Sequence, residues 1–187
     1  MLRRIKYNSP VILTFVFASF LALVLNWISG GLANRLFFSV YSMGPFFDPL
    51  MIVRLFGYVL GHASLEHYIS NMTIILLIGP MLEEKYGSRN LLVLMTVTTI
   101  VTGILHMLLF QGAILGASGI AFAMIMLSSF AYSSKDEIPL TFVIMAVIYL
   151  GGQIMDGLFV QDSVSQMGHL IGGIVGSVYG FHVSANK

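Results

Sequence analysis

A serine flanked by glycines is the residue best suited to chemistry in this sequence. Ser118 lies in the tetrad Gly116-Ala117-Ser118-Gly119, directly before an apolar run from Ile120 to Phe130. In the first turn of a buried helix, a serine hydroxyl lies beside backbone N–H groups that have no partner within the helix, and at the positive end of the helix dipole. Such a position favours an oxyanion. Ser118 is therefore a candidate nucleophile, provided that another residue acts as its base.

His169 is the candidate base, because imidazole accepts a proton near neutral pH. Glycines recur every four residues around it and would form a small-residue face on one helix: Gly168, Gly172, Gly176 and Gly180. The segment of Ser118 also carries small residues, Gly116 and Gly119, that could face this stripe. We expect the two helices to approach closely enough to bring His169 against Ser118. Phe122, one turn after Ser118, is then expected to pack on the imidazole.

A second pair of polar residues could stabilise the negative charge that develops when Ser118 attacks a carbonyl group. His67 and Asn71 are four residues apart, which puts them on one face of a helix. An imidazole N–H and an amide N–H can both donate to an oxyanion. With the backbone N–H of Ser118, these two side chains are predicted to form a polarising pocket.

Each of these features also has a purely structural interpretation. A serine in a helix rich in glycine and alanine is more often a packing residue, and a glycine stripe usually serves helix packing alone. The pair His67 and Asn71 could equally form interhelical hydrogen bonds. His62 is expected to brace the loop, His106 to pack or to reach the membrane interface, and His182 to extend toward the interface. Asp156 and Asp162 could complete a triad, although such residues are more often found in loops or at helix ends.

No metal or other cofactor is predicted. The dipeptide Glu66-His67 lacks a second histidine at the spacing of the zinc-protease motif H-E-x-x-H. His62 and His67 are five residues apart, which is poor for one helical face.

The composition is that of an integral membrane protein. Of the 187 residues, 57% are hydrophobic and 9% are charged, whereas about 25% are charged in a typical soluble domain. The chain contains no cysteine, which excludes a disulfide framework, and its net charge of +1 gives no footprint for nucleic acid. We expect one membrane domain over residues 1–187, with the lipid bilayer as its surroundings.

Six segments are long and apolar enough to be candidate membrane-spanning helices. They cover about residues 11–28, 65–82, 91–110, 113–132, 138–155 and 164–183. The stretch from Gly30 to Gly61 is broken by glycines and prolines, and we expect a large, partly embedded loop with short interfacial helices. The cluster Glu83, Glu84, Lys85 and Arg89 is expected to form a solvated turn. The predicted fold class is thus an all-α bundle of six helices.

Basic residues set the expected orientation. With a cytoplasmic N-terminus, all but Arg35 and Arg54 of the basic residues fall on the cytoplasmic side, as the positive-inside rule requires. An even number of spans then puts both termini in the cytoplasm. Ser118, His169 and His67 come to the extracytoplasmic ends of their helices.

Taken together, these motifs resemble those of the rhomboid family of intramembrane serine proteases. Gly116-Ala117-Ser118-Gly119 resembles the G-x-S-G of the family, and Gly168-His169-Leu170-Ile171-Gly172 resembles its G-H-x-x-G. His67-Tyr68-Ile69-Ser70-Asn71 is similar to the H-x-x-x-N of the family. His62 and Arg54 match a loop histidine and the arginine of a loop W-R pair. Glu83-Glu84-Lys85-Tyr86-Gly87-Ser88 is similar to the acidic-basic-glycine turn of the family after the second span. These four motifs occur in the expected order on the expected spans, from about Arg54 to Gly176.

The resemblance implies a minimal bacterial rhomboid protease in the inner membrane, with a Ser118–His169 dyad and an oxyanion pocket from His67, Asn71 and the Ser118 amide. It implies transmembrane proteins as substrates, which the fifth span and an overlying loop would admit. Two residues depart from the pattern: Val53 replaces the loop tryptophan, and Phe122 replaces a tyrosine that commonly stacks on the catalytic histidine. The alternative is a non-enzymatic rhomboid-like membrane-protein binder or a small transporter.

Overall fold

The computed structural model describes residues 5–42, 48–134, 137–152 and 163–185. Helices dominate these ranges, in the order α1 (Pro10–Ile28), α2 (Leu32–Leu36), α3 (Leu50–Gly57), α4 (Leu65–Tyr86), α5 (Ser88–Leu109), α6 (Ser118–Ser128), α7 (Leu140–Met145) and α8 (Ser163–Ala185). A π-helical turn, Ala146–Leu150, continues α7. Two short strands, β1 (Val40–Tyr41) and β2 (Ala113–Ile114), pair antiparallel.

Helix α6 is the centre of the bundle. From Ile120 to Leu127 every side chain except Phe122 is buried, and α4, α5 and α8 all pack against this helix. Helix α1 packs on the outside, against α4 and α5. Because α6 is apolar all round, burial on every side is the arrangement that its sequence requires.

Three helices are long and apolar enough to cross a membrane within the described residues, namely α1, α4 and α5. Large apolar side chains such as Leu77 and Ile28 are about four-fifths exposed on the outer faces of the bundle (81% and 80%). Lipid tails solvate such surfaces, whereas water does not. The predicted class of a largely helical membrane protein is confirmed, and the count of six spans stays a prediction.

The fourth predicted span differs from the structure at its beginning. Residues 113–132 were expected to form one helix, but Ala113 and Ile114 form strand β2 and the helix starts at Ser118. Gly116 has a φ of 124°, which a right-handed helix does not tolerate. Helix α6 also ends at Ser128, four residues before the predicted end, and is therefore only 11 residues long.

Glu83 overturns the expectation of a solvated turn after α4. The residue is buried, and its two carboxylate oxygens accept hydrogen bonds from the backbone N–H groups of Val11 (3.0 Å) and Ile12 (3.1 Å). The hydroxyl of Ser88 donates to the same carboxylate at 2.7 Å. Helix α1 has no acidic residue in its own first turn, so Glu83 caps that helix from a distance in sequence.

Candidate active site

Ser118 is the first residue of α6 and is half-buried. Its predecessor, Ala117, is completely buried and accepts the first helical hydrogen bond, from Ala121 N–H at 2.9 Å. The backbone N–H groups between these two residues therefore belong to the open, positive end of the helix. The hydroxyl of Ser118 starts from the same position.

The segment that leads into Ser118 is held by the first loop. Val40 pairs with Ile114 and Tyr41 with Ala113, and the N–H of Gly116 donates to the carbonyl of Tyr58 at 2.9 Å. Tyr58 is itself buried, and its hydroxyl donates to a carbonyl of α5. Burial raises the pKa of Tyr58, so its hydroxyl keeps the proton that it donates. The path of the chain before the serine is thus fixed from outside α6.

Gly116 brings the backbone before Ser118 into contact with α4. A Cβ at this position would lie 2.7 Å from Cε1 and 2.8 Å from Nε2 of His67, and 3.7 Å from the amide nitrogen of Asn71. The missing side chain leaves room for both groups. His67 and Asn71 therefore face the same end of α6 as Ser118.

The two side chains face this space as hydrogen-bond donors. The N–H of Ala63 points at Nδ1 of His67 at 3.5 Å, which assigns the ring proton to Nε2, the atom on the Gly116 side. Asn71 is buried, and its amide nitrogen has no hydrogen-bond partner among the described residues. A buried donor without a partner costs free energy, which an incoming acceptor would recover.

Helices α6 and α8 meet backbone to backbone. A Cβ at Gly172 would lie 2.7 Å from the carbonyl carbon of Gly119 and 2.8 Å from its Cα. A Cβ at Gly176 would lie just as close to the backbone of Ala123. The glycine stripe of α8 therefore serves close helix packing, and this contact brings His169 alongside the first turn of α6.

Phe122 lies flat on the imidazole of His169. The two ring centroids are 4.5 Å apart and the ring planes differ by 12°. Phe122 and Ser118 are four residues apart on α6 and share one face of the helix. The face that carries the serine therefore also carries the ring that stacks on the histidine.

His62 joins the first loop to α4. It is completely buried, its Nδ1 lies 3.1 Å from the carbonyl of Leu60, and its ring packs against those of His67 and Tyr68. Burial, together with the nearby charge of His67 when protonated, lowers the pKa of His62 to about 4. At neutral pH this histidine is an uncharged brace.

Arg54 anchors the loop in which Val53 replaces the expected tryptophan. Its Nε donates to the carbonyl of Leu36 at 3.0 Å, and its guanidinium forms an ion pair with Asp48. The same group lies over the ring of Tyr41, 5.3 Å from the centroid. Arg54 thus connects α3 with the end of α2 and with strand β1, while Val53 is about half exposed (48%).

Two further histidines of the sequence analysis lie on α5 and α8. His106 is buried on α5, stacks on Phe110 and has its Nε2 3.3 Å from the carbonyl of Gly112. His182 is exposed near the end of α8. Asp156 and Asp162 are outside the described residues. Within the described ranges, no group of three or more histidine, cysteine or acidic residues could hold a metal ion.

Sequence reasoning missed Tyr58 and Tyr149, which both contact the candidate site. Tyr58 holds Gly116 through its backbone carbonyl, and a carbonyl leaves no signal in a sequence. Tyr149, in the π-helical turn after α7, packs its ring against Phe122 at 5.5 Å and 81°. Its position in a uniformly apolar run did not distinguish it from lipid-facing residues.

Comparison with known proteins identifies the family of the chain. A family model described as "Rhomboid domain" matches residues 49–186. Among curated proteins, the chain is similar to the Rhomboid protease GlpG of Haemophilus influenzae. The two are 26% identical over 131 residues, which cover 68% of each chain. The range of the family match, residues 49–186, includes the candidate site residues from Arg54 to Gly172.

Proposed function

Because the chain belongs to the rhomboid family, we propose that it is an intramembrane serine endopeptidase with a Ser118–His169 dyad. The observation that carries this proposal is the stacking of Phe122 on His169, one turn beyond Ser118 on the same face of α6. The similar protein from Haemophilus influenzae is called a protease, which supports the reaction class.

In the proposed reaction, the Ser118 hydroxyl attacks the carbonyl carbon of the scissile peptide bond while His169 takes its proton. The imidazolium then returns the proton to the amine as the C–N bond breaks, which leaves an ester between Ser118 and the substrate. Water, deprotonated by the same imidazole, hydrolyses the ester and restores the free serine. Both half-reactions need His169 beside Ser118.

We assign the stabilisation of the tetrahedral oxyanion to His67, Asn71 and the Ser118 backbone N–H. The Nε2–H of His67 and the unpaired amide of Asn71 face the space that Gly116 leaves open. Donors that are fixed before the reaction stabilise the developing charge without reorganisation, and one such donor is worth about 10²–10³ in kcat.

The substrates we propose are transmembrane segments of other membrane proteins, cut near the extracytoplasmic face. The termini would then lie in the cytoplasm of a bacterial cell, with the active site opening outwards, as the distribution of basic residues favours. A substrate helix must unwind locally, because a helical carbonyl is engaged by an N–H four residues on. Helix-breaking residues near the scissile bond would lower that cost.

A fluorophosphonate probe tests the proposal, because it labels only an activated serine. The purified protein is incubated with the probe and with a transmembrane reporter, alongside Ser118→Ala and His169→Ala. We expect labelling and cleavage in the wild type and neither in the two variants. Ser128→Ala, at the other end of α6, is the matched control, since its hydroxyl donates only to a helix carbonyl. It should behave as the wild type.

Labelling that persists in Ser118→Ala would remove Ser118 from the reaction. A folded wild type that binds the reporter without labelling or cleavage would instead indicate a non-enzymatic binder. Solute flux that Ser118→Ala leaves unchanged would indicate a transporter.

A further inference from the structure

Helix α7 and its π-helical turn have little buried surface. Every residue from Leu140 to Tyr149 is exposed or half-buried. Near its beginning, Phe142 packs against Phe130 and Phe181, with centroid distances of 4.7 and 5.2 Å. Near its end, Tyr149 packs against Phe122. Aromatic contacts therefore hold this segment to the bundle at both ends.

The two ends differ in what they touch. At the first end, the rings of Phe130, Phe142 and Phe181 contact one another in a closed cluster of three. At the second end, Tyr149 meets Phe122 edge to face, at 5.5 Å and 81°, while Phe122 stacks on His169 at 4.5 Å and 12°. Only the ring of Phe122 thus lies between Tyr149 and the imidazole of His169 in this series of contacts.

Phe122 can orient His169 only by packing, because phenylalanine has no hydroxyl to donate or accept a hydrogen bond. A flat stack leaves the stacked ring free to slide and tilt unless its neighbours restrain it. Tyr149 supplies such a restraint from the side of Phe122 that faces α7. Its ring reaches Phe122 from a π-helical turn, a local widening of the helix that changes the direction of side chains and is frequent at functional sites.

We infer that Tyr149 is a positioning residue for His169. Its ring fixes Phe122, Phe122 fixes the plane of the imidazole, and the alignment of the base therefore depends on where α7 lies. This inference rests on the proposed function, in which His169 is the base. If the end of α7 that carries Tyr149 moves, the imidazole of His169 loses this restraint. The Phe142 cluster keeps the other end of α7 attached to the bundle.

The test compares Tyr149→Leu, which removes the ring, with Tyr149→Phe, which keeps the ring and removes the hydroxyl. We expect Tyr149→Leu to lower kcat about three- to tenfold, the range that the energy of one aromatic pair corresponds to, with KM little changed. Tyr149→Phe should keep the kcat of the wild type. In a protein that already carries Phe122→Leu, the Tyr149→Leu substitution should lower kcat little further, because both substitutions remove the same support of His169.

A readout without activity uses the imidazole protons of His169 in protein with ¹³C-labelled histidine, assigned with His169→Ala. A ring stacked on them shifts their resonances upfield, so Tyr149→Leu should move them downfield and Tyr149→Phe should not. An unmoved His169 signal in Tyr149→Leu, or additive losses in the double variant, would overturn the inference. So would a change in KM alone, since Tyr149 would then contact substrate. If the wild type proves inactive, the proposed function fails, and the resonances still decide the positioning role.

Discussion

Replacing Gly172 with alanine is the most direct test of how helices α6 and α8 position the proposed Ser118–His169 dyad. The added Cβ would lie 2.7 Å from the carbonyl carbon and 2.8 Å from the Cα of Gly119. These atoms belong to the backbone of α6, so no side-chain rotation can relieve the contact. Helix α8 must move away from α6 instead.

The size of that movement follows from ordinary contact distances. Carbon atoms pack at about 3.5–4.0 Å, so the helices must separate by about 1 Å near Gly119. Gly119 follows Ser118 directly, and His169 lies one turn before Gly172 on α8. A misplacement of about 1 Å between reacting groups can cost about 10² in rate. Overpacking of this kind also costs typically about 1–3 kcal/mol of stability.

We therefore expect Gly172→Ala to remain folded in detergent and to lose about 10²-fold in kcat on a transmembrane reporter. Thermal unfolding checks the fold, and the rate of fluorophosphonate labelling reports on Ser118 independently of substrate binding. Val178→Ile is the matched control: it also enlarges a side chain of α8, but on an exposed face (64%). Wild-type kcat in a folded Gly172→Ala protein would refute the idea that backbone contact sets the Ser118–His169 geometry.

Three further predictions concern the surroundings of the site. Gly116→Ala should lower kcat by about 10²-fold, because the Cβ displaces the imidazole beside it; Gly112→Ala has a similar positive φ but open space, and should retain activity in the same reporter assay. Glu83→Ala should lower the free energy of unfolding by about 1–3 kcal/mol in thermal denaturation, because a buried and a half-buried N–H group of α1 lose their acceptor. Glu84→Ala, at an exposed position, should not lower it. The pKa of His62 is lowered from 6.5 to about 4 in the folded protein, so the unfolded chain takes up a proton first as the pH falls. Stability should therefore decrease from about pH 6.5 to about pH 4 and be level above, and His62→Phe should flatten this slope in melting curves.

The sequence was sufficient to predict what depends on periodicity and on the absence of side chains. The apolar runs predicted α1, α4 and α5, and the four-residue glycine spacing predicted the close contact of α8 with α6. The four-residue spacing of Ser118 and Phe122 predicted a ring on His169, and the structure has that stack. The helices and their small-residue faces follow from the spacing of residues near one another in the chain.

Interactions between distant segments were not predictable in the same way. Glu83 looked like part of a charged turn, because its charged neighbours are visible in the sequence while the N–H groups it binds are 71 and 72 residues away. Tyr149 looked like one apolar residue among many. The helix predicted from residue 113 begins at Ser118, because strand β2 pairs with β1 and Gly116 adopts a positive φ. In each of these cases the prediction followed the local sequence pattern, whereas a tertiary contact determines the structure.

Contacts between distant segments also connect the first loop to the beginning of α6, where Ser118 lies. Strand β1 pairs with residues 113 and 114, and the carbonyl of Tyr58 accepts from the N–H of Gly116, two residues before α6 begins. The same loop carries His62, whose ring packs on His67, so it also steadies one proposed oxyanion donor. Arg54 ties α3 to the end of α2 and to Tyr41 beside it. The position of Ser118 therefore depends on residues about 60 to 80 positions earlier, and a substitution at Arg54 should act on kcat through β1 without touching the substrate.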